Sequence, residues 1–386
     1  MAIANTIVDN ANTTADKTEH DPGSGTVNGG STSMNGRHVV DETLGLLGHP
    51  GGILVDHPRL RVGVVTAISR HDGLELELVA RSPRNPDSMT DPPAPRVLLP
   101  RYEEGMNLRV AWLDADDRPH WEYGSVDVST GYPFNGTVLQ TRMLLPPMFD
   151  RARIVLAWPE IGFPEAVVTL PLPDREAVVR AEASVWTAPV DPRPLPTGLT
   201  FRSAALHSLD VDAEAGLILS GPRVLHRGDD AVVVLTRLTL VGPALSLELH
   251  SIARGRPGGA ATTAAMYGPR HRSHPENPEN PPEGPTRTAR IEPEHPRDPG
   301  AGASIALLHP GATDGADTGG VRDGADIGDE ASWLLPAKGT TAGGDDTFSG
   351  RAEYAFDRPE GAFLDLVVGW PEAGLANAHV RVPLVT

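Results

Sequence analysis

The sequence has no cysteine and almost no lysine, and each shortage excludes something. Without Cys there are no disulfides and no thiolate chemistry, which removes the small secreted disulfide scaffolds. Of 33 basic residues only Lys17 and Lys338 are lysine, so the positive charge is nearly all Arg, spread without a basic run. The formal net charge of -18 opposes binding to nucleic acid or to an anionic membrane surface. No apolar run approaches the roughly 18 residues of a membrane span. The opening MAIANTIVDNANTTADKTEH lacks the basic start and apolar core of a secretory signal, so a cytoplasmic location is expected, with signal-independent export left open. Long helix is scarce for a physical reason: 41 Gly and 38 Pro interrupt helices at about 1 and 3 kcal/mol each.

What is present is a repeat. Residues 152–172, ARIVLAWPEIGFPEAVVTLPL, and 364–384, LDLVVGWPEAGLANAHVRVPL, align without a gap and agree at 9 of 21 positions. Trp158, Pro159, Glu160 and Gly162 match Trp370, Pro371, Glu372 and Gly374. Pro159 cannot donate to a strand ladder, so the strand stops at Trp158, and Gly162 is free to turn the chain into a second apolar run. The spacing predicts a hairpin with an indole plugging the end of a two-sheet core, and Glu160 and Glu372 capping backbone N–H groups at their corners. The competing reading makes the two rings exposed platforms for sugar or peptide.

A second block repeats in the same order. Leu60–Ser69 and Gly73–Arg81 read as paired strands joined by Arg70-His71-Asp72-Gly73, an Asp-Gly hairpin signal. Leu74, Leu76 and Leu78 alternate with Glu75 and Glu77, the period-2 pattern of a strand with one wet face. Val62, Val64 and Thr66 align with Val232, Val234 and Thr236, and after a slip of one residue Leu74, Leu76, Glu77 and Leu78 align with Leu245, Leu247, Glu248 and Leu249. Further strands are expected near 96–99, 108–113, 122–128 and 136–145, with counterparts at 303–308, 332–335 and 350–356, and Phe134-Asn135-Gly136 echoed by Phe348-Ser349-Gly350.

The expected fold is therefore all-β: two tandem, duplicated antiparallel β-sandwiches of immunoglobulin-like, Greek-key type. Residues 1–37 read as a disordered tail, 38–188 as the first sandwich, 189–199 as a stiff Pro-rich linker and 200–386 as the second sandwich. Long loop insertions are expected in the second copy at 254–300 and 310–347.

Candidate chemistry is sparse. Asp314, Asp317, Asp323 and Asp326 lie among glycines in a nine-residue tandem repeat, oxygen donors on a flexible backbone that would suit Ca²⁺, against the plainer reading of a solvated acidic loop. No other cofactor is indicated. Asp114, Asp116 and Asp117, like Asp210, Asp212 and Glu214, read as turn formers. His271 and His274 could share a transition metal but have no third ligand at hand. Nucleophile elbow, HExxH, phosphate-loop and dinucleotide motifs are absent. The function expected is non-enzymatic binding or assembly, with a protein partner or a second copy of the chain, since strand edges invite β-augmentation. A carbohydrate- or Ca²⁺-dependent binding module is the alternative, and a hydrolase the third.

Overall fold

A computed structural model describes residues 6–7, 42–83, 97–98, 108–122, 125–130, 137–203, 216–267, 302–309 and 329–384, and it is mostly β. The first half opens with β1 (Thr6–Ile7), β2 (Thr43–Leu44), β3 (Leu46–Leu47), β4 (Gly52–His57), β5 (Leu60–Ser69) and β6 (Leu74–Ser82). It continues with β7 (Arg109–Leu113), β8 (Pro119–Glu122), β9 (Ser125–Thr130), β10 (Thr137–Leu145), β11 (Arg151–Trp158), β12 (Phe163–Pro171), α1 (Arg175–Ala181) and β13 (Ala183–Ser184). The second half opens with β14 (Thr200–Ser203), β15 (Leu217–Ser220), β16 (Arg223–Arg227), β17 (Ala231–Val241), β18 (Ala244–Arg254) and α2 (Gly255–Tyr267). It closes with β19 (Ser304–His309), β20 (Glu330–Trp333), β21 (Lys338–Gly344), β22 (Thr347–Asp357), β23 (Phe363–Trp370) and β24 (Leu375–Pro383).

Each half carries one five-stranded and one six-stranded sheet. The five-stranded orders are β1-β12-β11-β7-β8 and β14-β20-β19-β23-β24; the six-stranded orders are β3-β5-β6-β10-β9 with β4 beside β5, and β15-β17-β18-β22-β21 with β16 beside β17. Alternation explains the cores. Val62, Val64, Leu74, Leu76 and Leu78 bury against Ile154, Leu156, Val168 and Leu170 of the other sheet. In the second half Val233, Leu235, Leu245, Leu247 and Leu249 bury against Ile305, Leu364, Leu366 and Val380. Each such side chain contributes about 1.5–3 kcal/mol by leaving water.

The repeated corners form as the residues dictate. At the first, Pro159–Ile161 makes one 3₁₀ turn and Gly162 takes φ 68°, its N–H donating to Pro159 O at 2.8 Å. At the second, Gly374 takes φ 79° after Pro371–Ala373. Trp158 and Trp370 are 0% and 1% exposed, so neither ring is a surface platform.

Several expectations are corrected. Val232 and Val234 lie in a different apolar cluster from the second core, and Val233 and Leu235 face inward in their place. Both β5–β6 and β17–β18 carry a bulge, between Val64 and Thr66 and between Leu235 and Arg237, so register pairs Val64 with Leu78 as it pairs Leu235 with Leu249. The strand blocks thus correspond without the slip. The insertion expected at 254–300 begins with α2. Gly255 (φ 61°) turns the chain out of β18, Pro257 falls in the first turn where its missing N–H costs little, and Ala260, Ala261, Ala264 and Ala265 favour helix. The Thr262 hydroxyl donates to Thr347 O at 2.9 Å and Ala261 joins the core. Within the stretch expected as an insertion at 310–347, the described residues hold β20 and β21. Asp314, Asp317, Asp323 and Asp326 lie outside the described residues, as do Phe134–Gly136, His271 and His274. The β14–β20 pairing is parallel.

The linker is anchored at several points. Arg193 N–H donates to His379 O at 2.8 Å and His379 N–H to Arg193 O at 3.2 Å, a bridge on the edge of β24. Leu195 and Leu199 pack with Phe201 on Ala306, Leu308, Trp333 and Val367. Upstream, Val185 and Ala188, placed by sequence in the first half, bury against Val224, Val232, Val234 and Ile252 of the second.

Candidate functional site

The polar face of β6 is where sequence and structure part most sharply. Glu75 and Glu77, expected in water, are 5% and 3% exposed, because the second half's six-stranded sheet lies across them. Buried carboxylates persist only when paired and hydrogen-bonded. Arg70 donates to Glu75 Oε2 from both Nη atoms, at 3.2 and 3.3 Å. Arg142, opposite Glu77 in the β6–β10 register, donates from Nη2 to Glu77 Oε2 at 2.6 Å, and the Gln140 amide also donates to Glu77.

Two arginines cross between the halves. Arg142 Nη2 reaches Glu248 Oε2 at 2.5 Å. In the opposite direction Arg351 Nη1 reaches Glu75 Oε1 at 2.8 Å, and it also donates to Glu248 Oε1 at 3.1 Å. Within the second half Arg237 donates to Glu353 Oε1 at 2.8 Å and to Ser246 Oγ at 2.9 Å, while Ser246 Oγ donates to the same Glu353 oxygen at 2.7 Å. Thr236 Oγ1 donates to Glu248 Oε1 at 3.1 Å. Four guanidiniums thus face four carboxylates, and the layer is formally neutral. The fit has slack: Arg142 Nε and Arg237 Nε make no hydrogen bond and stand 3.7 and 3.6 Å from Glu75 and Glu248.

Electrostatics follow from that crowding. Burial alone would raise the Glu75 carboxyl, but Arg351, Arg142 and Arg70 outweigh it and hold the group at about 2. Burial likewise opposes charge on Glu248 and Glu353, and neighbouring arginines still lower both, Glu248 well below the usual carboxylate range. Arg142, Arg237 and Arg351 are pushed up by their carboxylates against the cost of burial. His250 lies in the same layer, its Nε2 2.8 Å from Ser349 Oγ, and burial together with Arg351 lowers it to about 3. An imidazole that weak is a poor general base for Ser349 near neutral pH.

The residues singled out from sequence lie elsewhere. Glu160 does not cap its turn; it pairs with Arg109, whose Nη1 donates to Glu160 Oε2 at 2.7 Å, while Glu372 is exposed. Asp114 forms a turn, accepting from the N–H groups of Asp116 and Arg118 at 2.9 Å each. The interface residues Arg142, Arg237 and Arg351 carry no motif, and Glu248 stands out only as the counterpart of Glu77 in the aligned blocks. The remaining signal is charge placed within otherwise apolar strands.

No protein-family model and no curated protein sequence matches the chain. Among solved structures it is similar to a conserved domain protein from Bacillus anthracis, at 8% identity and a TM-score of 0.18, over 86% of this chain and 79% of that one. A superposition that loose assigns neither fold nor activity.

Proposed function

We propose that this chain is a non-catalytic binding or assembly protein whose two halves are duplicated β-sandwiches of immunoglobulin-like, Greek-key type, acting as one rigid body. The reciprocal crossing of Arg142 to Glu248 and Arg351 to Glu75 carries the reading. The layer's four guanidiniums and four carboxylates are engaged with one another within and across the halves, which supports a role in holding the halves together. A rigid body of this kind suits presentation of loops and strand edges to a protein partner or to another copy.

The duplication is supported by matching registers. Ala111 lies between Val155 and Trp121 as Ala306 lies between Val367 and Trp333. Glu77 and Glu248 each occupy the centre of a six-stranded sheet, after bulges at corresponding points. Light scattering coupled to size exclusion tests assembly: the expected result is a species heavier than the 40.9 kDa chain, alone or with a purified partner. Monomer at every concentration, with nothing retained in pull-downs, would overturn it. Rigidity is tested separately by spin labels on the two halves, which should give one narrow distance distribution.

A further inference from the structure

We propose that His71, Asp72 and Glu182 form a site for a divalent transition-metal ion, with Zn²⁺ as the probe. The fold brings the three together from afar. His71 and Asp72 are the central residues of the β5–β6 turn, closed by Arg70 N–H to Gly73 O at 2.8 Å, and Glu182 is the C-cap of α1. One donor atom from each lies within 4.8 Å of the others, and His71 Nδ1 stands 2.8 Å from Glu182 Oε1. Bonds of about 2.0–2.2 Å put donors of one ion roughly 3.4 Å apart in a tetrahedron and roughly 4.2 Å apart when trans. The observed spread brackets both values, and the largely exposed His71 ring has room to adjust.

The donor set selects the ion. One imidazole with two carboxylates suits Zn²⁺ and its neighbours, with water completing the shell; an all-oxygen set would have favoured Ca²⁺. The electrostatics also ask for a cation. Glu182 lies where the helix carbonyls concentrate partial negative charge, the wrong end for a carboxylate, and Asp72 adds a second anion. Arg70 next door is engaged with Glu75 and with Thr43 O. The His71 N–H also donates to Glu182 Oε1 at 2.5 Å, holding that carboxylate over the turn.

Titration calorimetry and thermal unfolding of the full chain with ZnCl₂, reversed by EDTA, test the proposal. Zinc should bind with one-to-one stoichiometry and raise the unfolding midpoint. His71→Ala and Asp72→Asn should each weaken binding roughly tenfold or more, and both are surface changes that leave folding intact. A His271→Ala/His274→Ala variant should bind like the wild type. Absence of zinc heat, heat unchanged in His71→Ala, or heat lost in the His271/His274 variant would each overturn the assignment.

Discussion

The two facing sheets solve one problem with different residues. Opposite Glu77 stands Arg142; opposite Glu248 stands Glu353, a reversal of sign at matching register. Glu75 is matched by Ser246, Gln140 by Arg351, and Thr66 by Arg237. Yet each half contributes two carboxylates and two guanidiniums, Glu75 and Glu77 with Arg70 and Arg142, Glu248 and Glu353 with Arg237 and Arg351. A buried charge can therefore change sign when another position in the layer compensates. The sum is constrained more tightly than any single site.

The sharpest break of that comparison is Glu248→Gln. It deprives Arg142, Arg237 and Arg351 of their shared carboxylate and should cost about 3–5 kcal/mol in denaturant unfolding. Glu77→Gln should cost less, because Arg142 keeps Glu248; equal losses would show that the central glutamates are interchangeable. Trp158→Ala and Trp370→Ala should each lose about 3–5 kcal/mol by cavity formation, and a cost under about 1 kcal/mol at either would break the equivalence of the corners.

Acid separates the halves by a different route. His250 is held at about 3, below its ordinary 6.5, so between those values the unfolded chain binds the proton and stability falls as pH falls. Glu75, held at about 2 against an ordinary 4.5, adds a further loss below about pH 4.5. Together they amount to a few kcal/mol as an order of magnitude. Val79 occupies the position matching His250, so His250→Val should flatten the upper part of the acid slope, to which His49, also lowered by burial, adds a share, and leave the carboxylate part. Urea midpoints measured from pH 7 to pH 3 decide this.

Smaller effects distinguish the corners. Gly162→Ala and Gly374→Ala both force a side chain into positive φ, at about 1–2 kcal/mol. Gly162 should cost about 1 kcal/mol more, because the Arg59 guanidinium that donates to Gly162 O at 2.7 Å occupies the space of the new methyl, while nothing approaches Gly374. Smallest of all, Glu160→Ala should cost about 1 kcal/mol through loss of Arg109, and exposed Glu372→Ala less than about 0.5 kcal/mol. Both can be read from thermal midpoints.

Strands and corners were legible because they depend on local rules. Leu60–Ser69 forms the strand that its apolar run predicts, and Pro159 stops its strand at Trp158. The interface was not legible, because alternation tells which face of β6 is polar but not what covers it. Arg351 and Glu75 are 276 positions apart, and nothing near either residue names the other. Helix α2 was hidden by Gly255, Pro257, Gly258 and Gly259, which read as breakers although they crowd only its first turn. The His71–Asp72–Glu182 cluster was half visible, as a turn, with its third member beyond a sequence reading.

The Arg193–His379 bridge makes the connector a guard for an otherwise open sheet margin. Lengthening the stretch between 188 and 200 would therefore do more than add reach. It would unclip a protective flap and leave the β24 backbone free to recruit foreign strands, so tolerance to insertion should be lowest where a Pro-rich spacer would ordinarily invite it.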